Sequence, residues 1–110
     1  ELSDGLKRRC LHLFIDFPAP ADELQIIRLK VPEIPAELAR AVVAAVQKIR
    51  ALDLRKLPSV SESLDWARSL VILNARELDA ALVESTLTLL VKHEKDLERV
   101  KGSLDKVLAE

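Results

Sequence analysis

The sequence predicts an all-α fold: a small bundle of four to five helices carrying an extended N-terminal arm. Three observations predict it. The 110 residues contain only two glycines, no Met and no Tyr, while Ala, Leu and Val dominate, which is a composition of good helix formers and core residues. Apolar residues recur at helical spacing in successive stretches from Ala21 almost to the end. Helix-start and helix-stop residues separate those stretches where the periodicity resets.

The arm comes first. Glu1-Leu2-Ser3-Asp4 opens without Met, as if from the middle of a longer chain. The stretch Leu11-His12-Leu13-Phe14-Ile15-Asp16-Phe17 loosely alternates large apolar residues with others and stops at Pro18, which reads as one short strand. A lone strand leaves its backbone donors and acceptors unpaired, so the expectation is that it pairs with the sheet of an absent neighbouring domain.

After the Pro18-Ala19-Pro20 turn, Ala21 to Val31 places Leu24, Ile27 and Val31 on one face, with Asp22 and Glu23 near the positive N-terminal end of the helix. Pro32 stops it. Pro35 stands where a first-turn proline is tolerated, and Ala36 to about Leu52 follows with a stripe of Leu38, Val42, Ala45, Ile49 and Leu52. Arg40, Gln47, Lys48 and Arg50 are expected to face water. Asp53 to Pro58 is a connector. Ser59-Val60-Ser61-Glu62 is a capping box that opens the next helix, which runs to about Leu73. Its two stripes, Val60/Leu64/Ala67/Val71 and Ser63/Trp66/Leu70/Leu73, predict burial on more than one side. Asn74 suits a left-handed stop. Asp79 caps a last helix from Ala80, in which Val83, Leu87, Leu90, Leu97, Leu104 and Leu108 keep helical spacing. The polar run Lys92-His93-Glu94-Lys95-Asp96 is the place where it would bend or split, and Gly102 weakens it by about 1 kcal/mol relative to Ala.

Composition also excludes function classes. An apolar fraction of 49%, a charged fraction of 32% and a net charge of −1 give no global pull toward nucleic acid or anionic membrane, and no apolar run reaches the length of a membrane helix. A single cysteine, Cys10, excludes an internal disulfide and a thiolate metal cluster, and it fits a cytoplasmic setting. Gly5 and Gly102 stand far apart, so no glycine-rich loop can cradle phosphates, and the chain is not expected to hydrolyse a nucleotide by itself. His12 and His93 lack helix-spaced partners and read as structural or solvent-facing. Cys10, beside an apolar strand, reads as a small hydrophobe rather than a nucleophile.

Lys7-Arg8-Arg9 is the basic run that chemistry can use. Its plain reading is a solvated turn. Its sharper one is an arginine held at a subunit edge, where a guanidinium clamps phosphate and stabilises charge on a transferring phosphoryl group. Leu6-Lys7-Arg8-Arg9-Cys10 followed by Ile15-Asp16-Phe17-Pro18 resembles the segment that closes the core domain of MoxR-type AAA+ ATPases, where a Leu-x-Arg-Phe element precedes a strand ending in Asp-Tyr/Phe-Pro. The spacing back from Pro18 matches Arg8 to the family's arginine finger. Arg9 stands where the family has Phe, which keeps both Arg8 and Arg9 as finger candidates. Asp53 to Ala67 and Glu77-Leu78-Asp79 resemble the C-terminal lid of the CoxD-like subgroup.

The resemblance implies a division at residue 18: 1–18 would close the AAA+ core with the arginine-finger segment and last strand, and 19–110 would be the helical lid. It also implies a parent that binds ATP and Mg²⁺ in its core, forms a hexameric ring with neighbouring subunits, and works as a chaperone with a von Willebrand A-type partner protein in maturing or assembling metalloenzymes. A lid of this kind would couple ATP binding and hydrolysis to rigid-body motion. Many AAA+ lids start this helix with a phosphate-sensing arginine. Here the position holds Ser61 and Glu62, so any nucleotide sensing would fall to Arg55, Lys56 or Arg68. The alternative is an independent helical module for protein–protein interaction, suggested by the heptad repeat of Val83, Leu90, Leu97 and Leu104. A small enzyme built on the carboxylates Glu62 and Asp65 is the third class, against the usual case of a solvated pair.

Overall fold

The computed structural model describes residues 17–108, and these form an all-helical bundle without strands. Six α-helices occur: α1 (Pro20–Lys30), α2 (Ala36–Arg50), α3 (Val60–Ile72), α4 (Ala80–Thr86), α5 (Glu94–Gly102) and α6 (Leu104–Leu108), with a 3₁₀ turn at Leu87–Leu89. None is long and apolar enough to cross a membrane. The predicted strand lies outside the described residues except for Phe17, whose backbone is irregular.

Local chemistry explains most of the boundaries. Pro20 occupies the first turn of α1, where its missing N–H costs nothing. Pro35 caps α2 with φ −60°. The capping box of α3 is complete: Ser59 Oγ accepts from the Glu62 amide at 3.3 Å, and Glu62 Oε1 accepts from the Ser59 amide at 2.9 Å. Asn74 follows α3 with φ 58°, in the left-handed region that Asn tolerates better than most residues. Asp79 Oδ1 caps α4 by accepting from the Leu82 amide at 2.8 Å.

Helix α2 is the axis of the bundle, packing against α1, α3 and α6. Its Leu38, Val42, Val46 and Ile49 are fully buried together with Ile27 of α1, Trp66 and Leu70 of α3, and Val83 of α4. Both expected stripes of α3 contribute, although Leu73 is exposed because it lies past the last turn of that helix.

Two expectations are corrected. The stretch from Ala80 is not one helix. It turns through the 3₁₀ segment after Thr86, leaves helical geometry at Val91, restarts at Glu94 within the polar run where a split was expected, and breaks again at Ser103 beside Gly102. The heptad residues therefore form no continuous seam: Val83 and Leu90 are in the core, and Leu97 and Leu104 pack half-buried against it. Arg50 is the second correction. It does not face water; it is buried, and the next subsection describes what holds it.

Candidate functional site

The most polar buried region lies where the chain enters the bundle. Glu23 of α1 is fully buried, and Arg50 at the end of α2 is nearly so. The two form a bidentate ion pair, Nη1 donating to Oε1 and Nη2 to Oε2, each at 2.8 Å. Gln47 Nε2 donates a third hydrogen bond to Glu23 Oε1 at 3.0 Å. Arg50 Nε donates to the carbonyl of Pro58 at 2.9 Å, and Nη2 lies 3.5 Å from Ser63 Oγ. Above the guanidinium sits the ring of Phe17, 4.2 Å from ring centroid to Cζ.

The cluster ties together the entering chain, α1, α2, the connector and α3. Ser63 Oγ extends it by donating to the carbonyl of Ser59, the residue that caps α3. Burying two charges carries a large desolvation cost, which mutual attraction offsets only when the geometry is good and the remaining polar atoms are bonded. Both conditions are met, and no buried side-chain polar atom among the described residues lacks a partner. The guanidinium is thus committed to internal partners and positions structure rather than receiving a ligand.

A second polar anchor holds the connector between α2 and α3. Asp96 in the first turn of α5 is buried, and its two oxygens accept from the amides of Arg55 and Lys56 at 2.8 and 3.1 Å. Beside them Leu54 is buried in the core. The Arg55 and Lys56 residues are exposed, so the loop presents two cations on a backbone fixed from beneath. Arg68 is exposed on α3 and approaches Asp65 at 3.5 Å, an i,i+3 pair on the helix surface. The structure thus fixes Arg55 and Lys56 on one loop and gives Arg68 a neighbour on its own helix.

Glu62 belongs to the capping box and Asp65 faces solvent beside Arg68, so the two carboxylates do not converge on a common point. His93 is exposed at the start of α5, and no cluster of metal-ligating side chains occurs among the described residues. Arg8, Arg9, Cys10 and His12 lie outside the described residues.

The ion pair was missed in the sequence, yet a trace of it is there. Glu23 stands four residues before Ile27 and eight before Val31, and Arg50 stands four after Val46 and eight after Val42. Each charge thus prolongs an apolar i,i+4 stripe, and the two charges are opposite.

No family model, curated protein or solved structure matches this chain.

Proposed function

We propose that this chain is the helical lid, with the closing segment of the core, of a MoxR-type AAA+ ATPase. The observation that carries the reading is the order of parts. A basic Lys7-Arg8-Arg9 run and an Asp16-Phe17-Pro18 ending lead directly into a helical bundle whose entrance is locked by Phe17 on Arg50. An arginine that stabilises a transferring phosphoryl group in a neighbouring subunit must be presented from a fixed platform, because a small misplacement forfeits much of the gain. A bundle braced across α1, α2 and α3 suits a lid that moves as a unit relative to the core that would carry Arg8 and Arg9.

In this reading ATP and Mg²⁺ are held by a core upstream of Glu1, and the ring uses lid motion to remodel or mature a metalloenzyme client alongside a von Willebrand A-type partner. Arg55 and Lys56, on the loop braced by Asp96, and Arg68 on α3 are all exposed and stand as the candidates for nucleotide sensing. The alternative reading, an independent interaction module, draws on the grooves that flank α2.

The test is made on the longer protein. Arg8→Ala and Arg9→Ala are expected to leave ATP binding intact while one of them lowers turnover by at least 10³-fold, the order seen when an arginine finger is removed. Full turnover in both single variants and in the double variant would remove the finger assignment. An upstream sequence without a phosphate-binding loop would remove the ATPase reading itself.

A further inference from the structure

The outward face of α2 carries a ridge of Arg40, Ala44 and Lys48, one residue per turn, with a channel on either side. The channel between α1 and α2 has a volume of about 410 Å³, with Leu24 and Val43 at its floor and Pro20, Ala21 and Gln47 also in its lining. Its lining contains two ionisable groups, Arg40 and Lys48, and both are basic. Among the described residues neither makes an ion pair or side-chain hydrogen bond. The channel on the far side of the ridge shares Arg40 and Lys48 and is lined by Leu78 and Val107, but it adds the carboxylate of Glu77.

We infer that the α1–α2 channel is a docking groove for a partner helix with an apolar face flanked by carboxylates. The argument is charge complementarity on an apolar floor. Arg40 and Lys48 are eight residues apart, about 12 Å along the helix axis, so they can meet two acidic side chains two turns apart on the partner. Between them Ala44 is exposed and short, which lets a partner helix approach at the close end of the usual 8–10 Å packing distance. Glu77 disfavours the same acidic helix in the far channel, which selects the α1–α2 side. No aromatic residue lines the groove to stack a base, so the chemistry suits a peptide rather than single-stranded nucleic acid. This inference does not rest on the ATPase reading.

The experiment uses the chain itself as bait for a displayed library of helical 18-residue peptides, followed by amide chemical-shift mapping with a recovered peptide. The expected result is enrichment of Asp or Glu beside an apolar stripe, with shifts at Ala21, Leu24, Val43 and Ala44. The double variant Arg40→Glu/Lys48→Glu should weaken the recovered peptide at least tenfold, and Ala44→Trp should block it, both with unchanged helical circular dichroism. Neutral or basic winners, failure to enrich any sequence, or shifts elsewhere would overturn the inference. So would charge-reversal-sensitive binding to phosphatidylserine vesicles, which assigns the surface to lipid, or concentration-dependent shifts at the same residues without peptide, which assigns it to a second copy.

Discussion

Glu23→Gln is the substitution that probes the bundle most sharply. It keeps the shape of the side chain and one acceptor oxygen but removes the charge, leaving the Arg50 guanidinium buried without a counter-ion; the two side chains are 0% and 6% exposed. Removing one partner of a buried pair costs about 3–5 kcal/mol. Against the roughly 5–15 kcal/mol that holds a domain of this size together, that is a large fraction. With roughly 4–8 °C per kcal/mol for 60–100 residues, the midpoint should fall by at least roughly 12 °C. Urea unfolding followed by the fluorescence of Trp66, the single tryptophan, and by far-ultraviolet circular dichroism measures the loss. The double variant Glu23→Leu/Arg50→Met removes both charges and should recover much of it, since apolar replacements of a buried pair are often neutral or stabilising. A cost below about 1 kcal/mol for Glu23→Gln, the range of exposed ion pairs, would refute the reasoning.

Other substitutions test the remaining polar anchors. Asp96→Ala should cost about 2–3 kcal/mol by freeing two charge-assisted hydrogen bonds, and hydrogen exchange at the Arg55 and Lys56 amides should accelerate; unchanged exchange would show that the carboxylate does not hold the loop. Thr86→Val leaves the buried Trp66 Nε1–H without its acceptor at 2.7 Å and should cost about 1–3 kcal/mol in urea unfolding, whereas Thr86→Ser should retain most of the stability. Asn74→Val should lose about 1–2 kcal/mol because a β-branched residue is strained at φ 58°, and Asn74→Gly should lose none; thermal unfolding separates the two.

The parts of the fold that were legible in the sequence are those fixed by neighbouring residues. Ser59 and Glu62, Asp79 and Asn74 each act within one helical turn, so their roles can be read without knowing what lies across the bundle. The misread parts depend on residues far along the chain. Arg50 looks like an ordinary solvent-facing cation until α1 brings Glu23 to it across 27 positions. The break after Thr86 has no Pro or Gly to announce it. There the Thr86 hydroxyl donates to the carbonyl of Leu82 and accepts from Trp66, and Lys92 Nζ donates to the carbonyls of Thr88 and Leu89. The resulting change of direction lets Asp96 reach a loop 40 residues earlier. The same logic governs the candidate site. Arg55 and Lys56 could be listed as cations on a connector, but the fixed backbone beneath them comes from α5.

In the proposed ring, an arginine from one subunit serves the nucleotide of the next. ATP turnover in mixed assemblies of the longer protein tests it most directly. One subunit type carries the substitution that inactivates the finger, Arg8→Ala or Arg9→Ala, with an intact phosphate-binding loop, and the other carries an inactivated loop with both arginines intact. Each should be nearly inactive alone, and mixing should restore part of the turnover as loops and arginines from different subunits meet. Undiminished turnover by the arginine variants alone, or no recovery on mixing when mixed rings are shown to form, would contradict the account.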